Sequence, residues 1–476
     1  MTAPSPTDSI TDLTIRWRII SNGQTLPDYY PLISLEVGKA VNQVSVAKII
    51  LDDGDDTSER FSASDSSHLA PGAEIEIQLG YGSDLNRVFK GIVIKHGIRL
   101  GADFPAQLVV ECFDLAVKMT ITSKTRYFNL ASDSAVLTTL IAHYGLAPKV
   151  TSTPTHGDPV GQYQCTDWDL LVARARSNGM VVLSDAGQVT VAPPDLTRTP
   201  VWQLTVGQDI LAFQADLDVR TQWAAVQCSA WDSKKLEPIS ATASPGNLNP
   251  LGADNSSQLA KVTGADGLQL ESAAELSASA LKDWAQAIML QSELAKVSGL
   301  VKFPGAQLNP GDMLQLTGLG QRFSGNAYVG AIRHEVKDGR WTTEATLGIK
   351  PEWTACPGRP SAAGLLPPVT GLQIGVVSQI DQDPAGDFRV RVTAPLLNEI
   401  SGGIWARLAG SYATEATDGS GLFFYPEIGD EVILGFLNGN STCPVILGRV
   451  LGATRKPSGS PDQQNATKSI TTHSPI

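Results

Sequence analysis

The residues most able to do chemistry in this chain are few and scattered. Cys165 stands directly before a predicted helix start at Thr166, where the positive end of the backbone dipole would stabilise a thiolate. No histidine lies beside it, so its own neighbourhood reads more simply as an inert buried thiol. His334-Glu335 begins like a helical zinc signature but lacks the second histidine, and none of the six histidines is paired at ligand spacing. Glu427, Asp430 and Glu431 would be paired carboxylates for acid–base work, but they sit on the turn from Pro426 to Asp430, where acidic residues are commonplace. The acidic run at residues 52–56 suggests calcium, yet it lacks the spacing and distal glutamate of an EF-hand and reads as a turn. A phosphate-binding loop, a dinucleotide fingerprint and a nucleophile elbow are all missing. The sequence therefore nominates no catalytic, cofactor-binding or metal-ligating residue, and the expectation is a protein without enzymatic activity or cofactor.

Stepping outward, 476 residues correspond to roughly three domains at about 150 residues each. Hydrophobic residues at 42% and charged residues at 18% describe an ordinary globular chain. The net charge of −12 repels phosphate backbones and anionic lipid, which weighs against nucleic acid and membrane surfaces as partners. The five cysteines, Cys112, Cys165, Cys228, Cys356 and Cys443, form no CxxC pair and read as isolated reduced thiols. Residues 1–10 are polar without a signal-peptide pattern, and no 18 apolar residues run together. The expectation is synthesis in the cytoplasm without a signal peptide.

With 44 glycines and 29 prolines, the chain favours short strands over long helices. Period-two alternation marks strands at 13–19, 32–37 and 44–51, then at 73–81, 88–95 and 106–114, which together make an antiparallel barrel over about 1–125. An α+β insert follows over about 126–200. It holds a helix at 134–144, a second helix opened by a capping box of Thr166 and Asp169, and a hairpin at 180–192. Return strands at 209–219 and 222–231 precede a polar loop at 240–257. Ser272 and Glu275 form a predicted capping box for the longest helix, whose apolar stripe includes Leu276, Leu281, Trp284, Ile288 and Leu294 and runs to Val297. Strands at 300–303, 313–316, 328–336 and 341–347 complete a second small barrel, closing a region that spans 201–356.

Residues 357–370, with four prolines, read as a stiff linker. Strand patterns at 372–380, 388–392, 403–408, 421–424, 431–437 and 444–450 fit an OB-type barrel over 371–455. That segment holds no lysine, five arginines and nine acids, so single-stranded nucleic acid is a poor ligand. Phe423, Phe424 and Tyr425 are consecutive and should alternate faces, with the inward ones in the core. Residues 456–476 form a polar tail whose last β-prone piece is 468–473.

Four segments carry a family resemblance: VNQVSVAKIILDDGD (41–55), PGAEIEIQLGY (71–81), VFKGIVIKHGI (88–98) and TDWDLLVARARSNGM (166–180). They resemble the hub portion of VgrG-like spike proteins of contractile injection systems, found in phage tails, type VI secretion and extracellular phage-tail-like particles. FYPEIGDEVILGFLNGN (424–440) and PVILGRVLG (444–452) resemble the OB domain of the phage baseplate assembly protein V family. The resemblance spans nearly the whole chain in the expected domain order.

It implies a mainly β fold with an α+β insert, two small hub barrels, a C-terminal OB barrel, and the start of a trimeric β-helix near the C-terminus. It also implies a homotrimer whose paired barrels form a pseudo-sixfold ring against a hexameric tail tube. Implied partners are the tail tube protein, a PAAR-like tip, baseplate wedge proteins and cargo effectors. Residues 468–473 would begin the needle, although the chain stops at Ile476 where many relatives continue, and no lysozyme or effector domain is present.

The leading expectation is thus a structural hub and membrane-puncturing spike. An extracellular phage-tail-like particle ranks first among the contractile systems, ahead of a type VI VgrG and a phage baseplate spike. Two other classes stand as alternatives. A glycan-binding or glycan-cleaving tip would show activity on peptidoglycan, and a nucleic-acid-binding OB protein would show salt-sensitive binding.

Overall fold

The computed structural model describes residues 3–7, 14–54, 61–101, 104–129, 132–155, 160–232, 235, 237–264, 267–274, 276–349, 365–394, 403–412, 421–452, 459, 463–464, 466 and 468–471. The chain divides into two compact units. The first takes residues 1–123, 132–156 and 166–365; the second takes 124–131, 157–165 and 366–476.

The first unit is built on a 13-stranded sheet with two lobes. In the first lobe, strict alternation decides which side chains face inward. Along Glu74–Tyr81, Ile75, Ile77 and Leu79 are buried, while Glu74, Glu76 and Gln78 turn outward. Neighbouring strands Ile15–Ser21, Leu32–Ala40, Val46–Asp52, Asp84–Gly101 and Phe104–Phe113 add Ile19, Leu35, Val37, Ile49, Leu51, Phe89 and Leu108 to the same core. Each such side chain contributes about 1.5–3 kcal/mol of burial. The second lobe gathers Leu204, Val301, Phe303, Leu314, Val329 and Leu347 into a separate core. Its strands are Trp202–Thr205, Ala212–Leu217, Val297–Pro304, Met313–Thr317, Gly325–Lys337 and Arg340–Leu347.

The two lobes that the sequence marks as barrels share one hydrogen-bonded sheet. Gly325–Lys337 pairs antiparallel with Leu32–Ala40, in a register running from Ala331↔Ala40 to Lys337↔Ser34. The same strand pairs with Arg340–Leu347 and, at its start, with Met313–Thr317. Its 13 residues give it the reach to serve all three neighbours.

Two α/β pieces decorate this sheet. Helices Asp133–His143 and Asp167–Ser177 accompany a three-stranded sheet of Ala147–Val150, Val181–Asp185 and Gln188–Ala192. The capping box predicted at Thr166 is present: its hydroxyl accepts from Asp169 N at 3.1 Å and the Asp169 carboxylate takes Thr166 N at 3.1 Å. The second piece is a sheet of Val226–Asp232, Glu237–Ala243 and Leu268–Ser272, covered by Ala278–Leu294 through Leu281, Trp284, Ala285 and Met289.

The cap of that helix is Ser277, whose hydroxyl accepts from Ala280 N at 3.1 Å, and the helix ends at Leu294. Ser272 instead closes a strand and takes Ala274 N, while Glu275 lies outside the described residues. Two serines within five positions offered the same capping chemistry, and the strand ladder at Leu268–Ser272 claimed the first. Likewise residues 240–243 are strand rather than loop, because they pair with Val226–Ser229.

The second unit is a closed five-stranded barrel of Gln373–Gln379, Val390–Thr393, Ile404–Leu408, Pro444–Arg449 and Glu431–Phe436. Val377, Val390, Val392, Ala406, Val432, Leu434 and Ile446 fill it. Tyr127 joins this core from a two-stranded ribbon, Ser123–Phe128 with Val160–Thr166, and its hydroxyl donates to Ser441 O at 3.0 Å. Of the expected linker, 357–364 lie outside the described residues; Leu366 and Val369 are buried, and Val369 N bonds Gly439 O. In the expected needle strand, residues 468–471 are exposed and form no ladder in the single chain, and 472–473 lie outside the described residues.

Candidate functional site

Of the residues singled out for their chemistry, His334 and Asp430 are absorbed by local structure. His334 is buried on Gly325–Lys337, its Nδ1 at 2.9 Å from Thr343 Oγ1 and its ring 5.8 Å from Trp341. Burial, reinforced by the Lys39 ammonium, pushes its imidazole down to about 3, so it stays neutral at ordinary pH. Cys165 is the penultimate residue of the Val160–Thr166 strand, half-buried, one residue before the helix cap. Cys112 and Cys228 are pushed up to about 12 by burial, the state of inert thiols.

Two of the carboxylates, Asp430 and Asp53, are engaged in structure. Asp430 takes Glu427 N at 3.0 Å and Arg449 Nη1 at 3.1 Å, which fixes the turn. In the acidic run, Asp53 is buried and accepts from Ala63 N and Ser64 N, while Asp55 and Asp56 lie outside the described residues. Among the described residues, no three His, Cys, Asp or Glu side chains come together as metal ligands.

What the structure does assemble is an aromatic surface on the barrel unit. Phe423 and Phe424 are 83% and 59% exposed, whereas Tyr425 packs on the barrel core. Alternation fails because residues 422–428 are not a strand; only Gly421 makes a bridge. Phe423 and Tyr425 rings lie 4.9 Å apart, and Tyr425 Oη donates to Phe388 O at 2.9 Å. That bond brings in a third exposed ring, since Phe388 is 79% exposed and holds φ at 56°. A left-handed conformation is costly for so bulky a residue, and the loop around it is built to impose it.

The builder is Asp383, whose carboxylate accepts from Ala385 N, Asp387 N and Arg389 N and from the Arg389 guanidinium at 2.9 Å. Burial alone would raise the Asp383 carboxyl; the Arg389 and backbone hydrogen bonds outweigh it and hold the group well below the usual carboxylate range. No sequence signal announced this surface, because the loop at 381–388 and the segment at 423–428 are irregular and 35 or more residues apart.

The sequence family described as the Alg8 N-terminal domain matches residues 11–338, well over half of the chain. The chain belongs to that family. Beyond the family region, residues 373–451 match the type VI secretion system/phage-baseplate injector OB domain, coincident with the closed barrel. No curated protein matches the chain in sequence.

Solved structures share the fold at low identity. A 43 kDa tail protein of prophage MuSo2 from Shewanella oneidensis is 11% identical, with a TM-score of 0.54 over 71% of this chain and 98% of its own. The E. coli c3393 protein, a type VI secretion component similar to T4 bacteriophage tail proteins gp27 and gp5, is 12% identical. It covers 91% of this chain and 99% of its own, with a TM-score of 0.54. VgrG in a Francisella PdpA–VgrG complex gives 8% identity and 0.54 over 92% and 78%. The fold of the family chain is therefore that of a VgrG-like hub joined to an injector-type OB barrel. No helix among its described residues is long and apolar enough to cross a membrane.

Proposed function

We propose that the chain is a structural hub and spike component of a contractile injection particle, without enzymatic activity. One observation carries this reading: a two-lobed hub-like sheet and an injector-type OB barrel occur together in one chain, whose fold is shared over 91% of its length by a type VI secretion protein similar to T4 tail proteins gp27 and gp5. A strand that pairs into both lobes ties them into one hydrogen-bonded sheet, which suits a part that transmits force.

In this reading residues 1–356 are the hub portion, 357–370 the linker, 371–455 the OB domain, and 456–476 lead into the needle. The chain works as a homotrimer that adapts a hexameric tail tube to a threefold spike. Its partners are the tube, a PAAR-like tip, baseplate wedge proteins and cargo effectors. It is made in the cytoplasm and carried in an extracellular phage-tail-like particle that punctures the target envelope.

The test is the solution mass of the purified chain by light scattering across a concentration series. A species near three times 50.4 kDa is the expected result. A monomer, both for this chain and for a version extended by a β-helical needle, sinks the proposal.

A further inference from the structure

We propose that the outer face of the OB barrel around Leu372, Gly435 and Leu447 lies at the threefold axis of the assembled protein. There it packs against the same face of two further copies of this chain. The inference rests on the trimeric reading above and adds to it the surface that makes the contact.

Three neighbouring strands build the face. Glu431–Phe436 lies between Gln373–Gln379 and Pro444–Arg449 in the closed barrel. Its inward residues, Val432 and Leu434, fill the core, which leaves Ile433 and Gly435 on the outside. Ile433 pairs with Ile374 on one side, and Gly435 pairs with Val445 on the other. A Cβ added at Gly435 would lie 3.2 Å from Leu447 Cδ1 and 3.8 Å from Leu372 Cδ2, so the two leucines flank the glycine. Leu372 is 63% exposed, Leu447 51% and Ile374 38%.

The strand sequences ask for a cover on this side. A barrel strand with one wet face alternates apolar and polar residues. Val432–Leu434 and Val445–Leu447 are instead unbroken apolar runs, the pattern of strands covered on both faces. The single chain covers only the inner one. Charge is confined to the margin: Glu431 and Arg449 stand at strand ends, with Arg449 bound to Asp430, and Arg407 lies beside Val445 on the next strand. An apolar centre inside a charged rim is the anatomy of a protein–protein contact.

The uncharged centre also selects the occupant. Side chains at a threefold axis meet their own equivalents, so a charge there would face two of its own sign, in a chain whose net charge is already −12. Off the axis a threefold contact brings unlike residues together, and a rim holding both signs is compatible with that. Contacts between permanently associated copies are more apolar than those between separable partners, which lean on charge pairs for register.

The experiment compares full-length wild type with Leu447→Asp by light scattering across a concentration series, with circular dichroism as the check on folding. Wild type should have a mass near three times 50.4 kDa and the variant near 50.4 kDa. Phe423→Asp places the same charge on an exposed ring outside this face and should stay trimeric. Independently, Leu447→Cys treated with a short bis-maleimide should give a species of twice the chain mass on a denaturing gel. Wild type and Phe423→Cys, treated alike, should lack it.

A trimeric Leu447→Asp variant, or a Leu447→Cys variant that does not cross-link, overturns the proposal and leaves the trimer standing. Loss of the trimer in Phe423→Asp alone assigns the contact to the aromatic surface and overturns it too. If only a needle-extended version is trimeric, other contacts hold that trimer and the cross-link decides. A wild type that is monomeric in both forms overturns the trimeric reading itself, and this proposal with it.

Discussion

Arg174 and Asp133 form a two-pronged contact between the helices of the first α/β piece, with Nε–Oδ1 at 2.8 Å and Nη2–Oδ2 at 2.7 Å. Both side chains are largely withdrawn from solvent, and Asn178 Nδ2 adds a third donor to Asp133 at 2.8 Å. The remaining Arg174 nitrogen, Nη1, donates to Leu365 O, where the chain leaves the first unit. One guanidinium thus ties an early helix to a segment nearly two hundred residues later. Removing one partner strands a buried charge, so Arg174→Ala should cost about 3–5 kcal/mol in chemical unfolding. Arg174→Lys should rescue little, because an ammonium cannot span both carboxylate oxygens. A loss within experimental error for Arg174→Ala would show that water reaches the pair.

His334 makes a second prediction, on pH. Its folded-state imidazole titrates at about 3, against an unfolded value near 6.5. Between those values the unfolded chain binds a proton that the folded chain refuses. Stability from this group is therefore fully present above about pH 6.5 and is lost as pH falls toward 3. The slope approaches about 1.4 kcal/mol per pH unit. Asp114 and Asp312 are raised by burial and act in the opposite sense, and comparison with a variant that lacks only the histidine subtracts them. The window from pH 6.5 to 5 covers the upper part of the histidine's range. The difference in stability between wild type and His334→Gln should narrow across that window; parallel pH profiles would contradict the assignment.

The helix cap supplies a third. Ser277→Ala should destabilise by about 1 kcal/mol, since Ala280 N loses its acceptor. Measured by thermal unfolding, Ser277→Asp should retain or improve on the wild-type value, as a carboxylate also suits a helix N-terminus.

These residues also show what a single sequence can and cannot disclose. Ile75, Ile77 and Leu79 were readable because a half-buried strand writes its burial into period two. Thr166 was readable because both halves of its capping box lie within four residues. The pairing of Leu32–Ala40 with Gly325–Lys337 left no such local mark: each strand alternates on its own, and nothing in either names a partner three hundred residues away. The ribbon strands Ser123–Phe128 and Val160–Thr166 were missed for a related reason. They are mostly half-exposed, and their one deeply buried aromatic, Tyr127, packs in a barrel formed much later in the chain. The aromatic surface was hidden because it depends on irregular backbone, where period two predicts an inward ring that the structure turns outward.

That ribbon is joined to the barrel at a contact narrow enough to test. A Cβ added at Gly161 would lie 2.0 Å from Ser441 Oγ and 2.5 Å from Ser441 Cβ, with the Tyr127 ring at 3.0 Å. Ser441 is buried, and its carbonyl is the acceptor for Tyr127 Oη. Gly161→Ala must therefore displace Ser441 and loosen the Tyr127 bond, at a cost of about 1–3 kcal/mol in overpacking. Among the described residues Ser441 Oγ has no hydrogen-bond partner. Ser441→Gly thus forfeits no bond from its side chain while clearing the space that the new methyl needs. The double variant should accordingly recover part of the loss, giving a coupling energy of about 1 kcal/mol or more in a double-mutant cycle. Strictly additive effects would mean that the ribbon tolerates separation from the barrel at this point, and that Tyr127 alone holds the two together.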